Sequence, residues 1–136
     1  DLDRHPDAQS IPGLVMLRLD APLYFFNANV ARTQILAQTS SDAPPQAILL
    51  DLGASADLDI GTTDMLRDLY NDLRTKQIDL LFAQIRGSVH DRMQKTGLLE
   101  HLGEDHLYAS TAAAVAAFQA QPAPAESAIN STPEPA

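Results

Sequence analysis

Residues 47–52 read Ala-Ile-Leu-Leu-Asp-Leu, an almost unbroken apolar run between the Pro44-Pro45 pair and a polar loop. A strand with one face in water alternates apolar and polar residues, whereas a strand apolar at nearly every position is covered on both faces. This segment therefore demands a layered architecture, with a sheet in the middle and other elements above and below it. Helical patterns on either side supply the layers. Met65, Leu66, Leu69, Tyr70 and Leu73 recur at helical spacing, with Asp64 early in the run and Arg74 and Lys76 late, as the helix dipole favours. Upstream, Asn27 and Asn29 are N-cap candidates for a helix over residues 28–39, where Ala28, Ala31, Ile35 and Leu36 share a face.

The remaining elements follow the same alternation. Residues 14–19 and 23–26 predict two strands joined at Asp20-Ala21-Pro22 as an antiparallel hairpin, and residues 78–85 and 106–108 predict two more. Ser88, with Asp91 three residues on, resembles a capping box opening a short helix that ends at Gly97. An alanine-rich helix spans residues 110–120. The order is β-β-α-β-α-β-α-β-α, an α/β fold with a mixed, largely parallel sheet and packed helices. Loops at the carboxyl ends of such strands carry function. Here they are residues 27–29, 53–63 and 86–88.

Composition limits what those loops can do. The 136 residues carry a net charge of −9, and residues 121–136, with two glutamates and no base, account for two of those charges. An acidic domain is repelled by nucleic-acid backbones and anionic lipid, so neither is an expected partner. The absence of cysteine removes disulfides, thiolate zinc sites and cysteine nucleophiles together. No apolar run approaches the ~20 residues of a membrane span. Four of the nine prolines fall in residues 121–136, which predict a disordered Pro/Ala-rich tail. Residues 1–10 read as a linker and residues 11–120 as the domain, while a start at Asp1 rather than Met suggests a piece of a longer protein.

The most unusual stretch is residues 51–63, Asp-Leu-Gly-Ala-Ser-Ala-Asp-Leu-Asp-Ile-Gly-Thr-Thr. Its glycines and a following helix N-terminus would suit an anion, but the lysine of a P-loop is absent. Asp51, Asp57 and Asp59 offer hard oxygen ligands at a spacing that fits no EF-hand, so no metal is assigned. The structural alternative, a helix capped by Asp59 or Thr62 with Leu58 and Ile60 packed inward, explains the residues with fewest assumptions. His5, His90, His101 and His106 show no zinc spacing and read as surface side chains. Arg86, Arg92 and Lys95 gather at one strand-to-helix junction, either as an anion-attracting group or as a solvated helix face. No constellation of catalytic residues stands out.

The opening Ile-Pro-Gly-Leu-Val-Met-Leu-Arg-Leu-Asp-Ala-Pro-Leu-Tyr-Phe-Phe-Asn-Ala-Asn at residues 11–29, followed by Ala-Ile-Leu-Leu-Asp-Leu and the Met65-Leu-Arg-Asp-Leu69 helix, resembles the STAS domain. More narrowly, it is similar to the version at the cytoplasmic carboxyl end of SulP-type anion permeases, sulfate transporters among them. The resemblance covers about residues 11–120 and implies the same strand and helix order. It implies no enzymatic activity and no required cofactor. The expected role is regulation of a covalently attached transmembrane transporter domain at the cytoplasmic face of the cell membrane, with other protein partners also expected.

Guanine or adenine nucleotide (GTP, GDP or ATP) is the ligand the resemblance suggests, contacting Asn27, Asn29, Ser55, Asp57, Asp59, Gly61, Thr62, Thr63, Arg86 and Ser88. The alternative is a free-standing module similar to anti-sigma-factor antagonists and controlled by phosphorylation. Those antagonists carry Asp-Ser-Ser/Thr-Gly at the start of the second helix. Aligning the acidic residue with Asp59 puts Ile60 and Gly61 on the hydroxyl positions, which leaves Thr62 and Thr63 as out-of-register phosphoacceptor candidates.

Overall fold

The computed structural model describes residues 2–4, 11–19, 28–40 and 43–121. Five strands form one sheet in the order β1-β2-β3-β4-β5. They are β1 (Leu2–Arg4), β2 (Leu14–Leu19), β3 (Ala47–Asp51), β4 (Asp79–Ala83) and β5 (Leu107–Tyr108). The helices are α1 (Ala28–Ala37), α2 (Ile60–Thr75), α3 (Gly87–Lys95), α4 (Leu98–Leu102) and α5 (Thr111–Ala120), with a one-turn 3₁₀ helix at Glu104–His106. Strands β2 to β5 are parallel, in register Leu17↔Leu50↔Phe82↔Leu107, and β1 runs antiparallel to β2.

The doubly covered strand predicted from residues 47–52 is β3, buried along its whole length. Its side chains divide by parity. Ile48 and Leu50, with Leu17 of β2 and Leu80 and Phe82 of β4, face a core built from Ala31 and Ile35 of α1, Leu66, Leu69 and Leu73 of α2, and Val89, Met93, Leu98 and Leu102 of α3 and α4. Ala47 and Leu49, with Leu14, Met16, Leu81 and Ala83, face a smaller cluster that includes Ala114 of α5. The sequential strand order accounts for the asymmetry. Crossovers of one hand, repeated without reversal of direction along the sheet, place every connecting helix on the same face. Only α5, which follows the last strand, is free to cover the other.

Two departures from the sequence expectation concern the ends of elements. The antiparallel neighbour of β2 is Leu2–Arg4, through the register Leu2↔Leu19 and Arg4↔Leu17, so the sheet takes a strand from the stretch read as a linker. The hairpin partner expected at residues 23–26 lies outside the described residues, as does the tail from residue 122 onward. The second departure is α4, which was not anticipated. The chain reverses at Gly97, in the left-handed region at φ 83° that favours glycine, and Leu98, Leu99 and Leu102 turn back into the core.

Polar staples join the helices. Arg32 of α1 pairs with Asp72 of α2, Lys76 Nζ donates to Thr39 Oγ1 at 3.2 Å, and Arg67 of α2 donates to the Thr96 carbonyl at the end of α3. Among the described residues, no helix is long and apolar enough to cross a membrane.

Candidate functional site

Because β3 and β4 are parallel, the loops following them emerge at the same edge of the sheet and meet there. The β3 loop is shaped from within. Asp51 Oδ1 accepts the Gly53 amide at 2.8 Å, the Ser55 amide donates to the Leu52 carbonyl at 2.9 Å, and Ser55 and Leu58 are buried. Asp59 is the N-cap of α2, its Oδ1 accepting the Thr62 amide at 2.7 Å. This satisfies one of the unpaired amides of the first helical turn.

The β4 loop is then sewn onto this frame. Gln84 leaves the strand at φ 62°, a left-handed conformation that non-glycine residues rarely adopt. Arg86 donates to the Gly53 carbonyl from Nη2 at 2.8 Å and from Nε at 3.1 Å. The Ser88 hydroxyl donates to the Ala56 carbonyl. Arg92, in the second turn of α3, forms a two-pronged ion pair with Asp57 at 3.1 and 3.2 Å. The Arg92 guanidinium, aided by the Leu58 amide, holds the Asp57 carboxyl below the usual carboxylate range. Hydrogen bonds from Thr62 do the same for Asp59.

Between the β3 loop with the start of α2 on one side and Arg92 of α3 on the other lies an open cleft of about 580 Å³ lined by Asp57, Leu58, Asp59, Ile60, Gly61 and Arg92. Two of its three charged groups are carboxylates, and its guanidinium is already paired with one of them. Ile60, expected to pack inward, instead stands 68% exposed at the mouth. The N-cap geometry explains the inversion. Once Asp59 turns back to cap the helix, Thr62 and Thr63 occupy the inward face, at 5% and 2% exposure, and Ile60 and Gly61 are left facing water.

Of the residues named from sequence, Ser55, Asp57, Asp59, Gly61, Thr62, Thr63, Arg86 and Ser88 therefore belong to one edge. Asn29 sits exposed in the first turn of α1, which follows the carboxyl end of β2, and Asn27 lies outside the described residues. Several of them make contacts within the chain. Arg86 and Ser88 hold backbone carbonyls, Ser55 is inside the loop, and the Thr63 hydroxyl donates to the Ile60 carbonyl at 2.8 Å. Both threonines are buried in the first turn of α2. No described hydrogen bond ties Lys95 to the loop, and its charge acts on Asp57 at a distance. Among the described residues no group of three or more His, Asp or Glu side chains is placed to hold a metal.

A second polar cluster was missed from sequence because its members are scattered. His106 Nε2 lies 2.9 Å from Asp79 Oδ1, and its Nδ1 lies 3.1 Å from Asp105 Oδ1. The rings of His101 and His106 both stand edge-on to Tyr70, with centroids 5.5 and 5.6 Å away. The expectation of surface histidines is thus corrected for His106, whose side chain is only 13% exposed. His90 meets Glu104 at 3.2 Å. His5 lies outside the described residues.

A family model described as the STAS domain matches residues 5–114. The chain belongs to the STAS domain family. This STAS domain is 32% identical over 121 residues to a probable sulfate transporter of Mycobacterium tuberculosis, a match covering 88% of the chain and 21% of the relative. It spans about a fifth of the length of such curated relatives. Among solved structures, the SulP transporter STAS domain from Vibrio cholerae superposes with a TM-score of 0.67 at 22% identity, over 82% of this chain and 89% of that one. The murine Solute Carrier 26 family member A9 anion transporter gives a TM-score of 0.74 at 24% identity, over 84% of this chain and 19% of the transporter. These superpositions bear out the α/β fold with its largely parallel sheet.

Proposed function

We infer that this STAS domain is the regulatory part of a SulP-type anion transporter, held at the cytoplasmic face of the membrane by covalent attachment to a transmembrane domain. The observation that carries this reading is the match at 32% identity to one fifth of a probable sulfate transporter. The relatives named are transporters, and the edge described above offers stapled loops in place of a nucleophile with its base. The acidity of the domain suits contact with the lysine- and arginine-rich loops that membrane proteins present to the cytoplasm. The first test is the coding sequence ahead of Asp1, where about ten apolar spans of ~20 residues are expected. A reading frame without them overturns the proposal. Sulfate uptake by vesicles carrying the full protein, against a version truncated before Asp1, then tests regulation: equal rates remove the regulatory role.

Nucleotide is the ligand proposed for the same edge. The convergence of residues 53–63 and 86–88 supports it, and the two cleft carboxylates set its terms. A triphosphate would approach Asp57 and Asp59 against like charge, so binding is expected to be weak and to strengthen with Mg²⁺. Titration of the labelled protein with GTP, GDP and ATP should shift amides of residues 57–61 and 86–88. Silence of those amides at millimolar nucleotide and Mg²⁺ excludes this ligand.

A further inference from the structure

The strongest feature outside the candidate site is the contact His106 makes on both sides of its ring. Each ring nitrogen faces a carboxylate oxygen, Asp79 at 2.9 Å and Asp105 at 3.1 Å. An ionised carboxylate only accepts hydrogen bonds, and a neutral imidazole carries one N–H, so only the imidazolium satisfies both contacts. In the neutral form one nitrogen lone pair would face one carboxylate oxygen. We propose that His106 is a pH-sensitive clamp which, as imidazolium, ties the 3₁₀ turn leading into β5 to the first residue of β4.

The surroundings fit a switch and not a passive surface pair. From β4 comes Asp79. From the turn itself come Asp105 and Glu104, the latter engaged by His90 of α3. From α2 comes the Tyr70 ring, edge-on to His106, with its hydroxyl accepting from Arg74 at 2.9 Å. His101 of α4 packs on the same tyrosine. From β5 comes Tyr108, whose hydroxyl is pushed up by burial first and by the Asp105 and Asp79 charges second. Apart from Arg74, at the far end of the tyrosine, the charges facing His106 are carboxylates. The hydrogen bond to Asp79 outweighs desolvation and raises the His106 pKa above the ordinary histidine value. Gly103, at φ 92°, lets the turn fold so tightly that a Cβ there would stand 2.8 Å from Asp105 Oδ1.

What the clamp holds is marginal without it. Strand β5 has two residues, paired as Phe82↔Leu107 and Ala83↔Tyr108, and α5 begins three residues later. Loss of the proton from His106 would leave one of the two contacts without its hydrogen bond, a ring lone pair facing a carboxylate oxygen, and would loosen the turn, β5 and the start of α5 together.

The test is a pH titration of the isotopically labelled 136-residue protein by NMR from pH 5 to 9, following the histidine Cε1–H signals and the amides of residues 103–114. His106 is expected to titrate above about 6.5, the ordinary value, and the amides to move with the same midpoint. Asp79→Asn should bring the midpoint back towards the ordinary value. Asp105→Asn should lower it by less and weaken the amide response. Asp105 is 85% exposed, so its variant keeps the test available if Asp79→Asn disturbs folding. A His106 midpoint at or below 6.5, or amides that stay still while the ring titrates, overturns the clamp.

Discussion

The two ends of this sheet are both fastened by polar side chains, but with different chemistry. At the carboxyl edge the fasteners are Arg86 on the Gly53 carbonyl, Arg92 on Asp57 and the Asp59 cap on α2. At the amino edge they are His106 on Asp79 and Asp105, against Tyr70. A guanidinium keeps its charge throughout the accessible range, whereas an imidazole changes charge near neutrality. The same scaffold therefore carries one end that ignores physiological pH and one that reports it.

Replacing Leu58, buried at the base of the carboxyl-edge loop, should have the largest effect. Leu58→Ala is expected to cost about 2–4 kcal/mol in chemical denaturation, because it removes transfer free energy and leaves a cavity. A loss no larger than that of a surface substitution would show that the polar staples, and not the apolar anchor, hold the loop. Next is the cap. Asp59→Ala should cost about 1 kcal/mol and fray the first turn of α2, seen as faster amide exchange at Thr62 and Thr63.

The third prediction separates the edges by pH. Asp57 and Asp59 have lowered pKa values in the fold, so their stabilisation is present above the unfolded carboxylate value of about 4 and is lost as pH falls through the folded values. His106 is raised, so its stabilisation is full below about 6.5 and is lost as pH rises through its folded value. Melting temperature against pH should therefore show an acid limb that Asp59→Ala diminishes and a near-neutral decline that His106→Gln abolishes. If both variants leave the profile unchanged, the contrast between the edges fails. The smallest effect is assigned to Arg92→Ala. Its pair with Asp57 is solvent-exposed, so the melting temperature should stay close to that of the parent at 0.15 M salt, and the change should show in mobility of residues 54–58.

How much of this was legible in the sequence depended on the range of the interactions concerned. The β3 run and the α2 stripe carry their burial in local periodicity, so strand, helix and layering followed directly. The Asp59 cap was readable for the same reason, since cap and amide are three residues apart. The β1–β2 pair was not, because Leu-Asp-Arg is too short and polar to carry a strand pattern and owes its conformation to its neighbour. Helix α4 escaped because five residues leave too little periodicity to read. Ile60 was placed inward by counting apolar residues, whereas the cap geometry that turned it outward belongs to the backbone. The His106–Asp79 contact spans 27 positions, and only the parallel pairing of β4 with β5 brings those residues together.

The antiparallel first strand has one further consequence, for how this domain can be tethered. Leu2 pairs with Leu19, at the carboxyl end of β2, so the chain arrives at the edge where the β3 and β4 loops converge. With strands about 4.8 Å apart, its point of arrival is roughly 12 Å across the sheet from the midpoint between β3 and β4. Any polypeptide joined ahead of Leu2 is thereby delivered beside the cleft and kept at high effective concentration near Ile60 and its flanking carboxylates. A contact there needs little intrinsic affinity, since the tether has already met most of the cost of encounter.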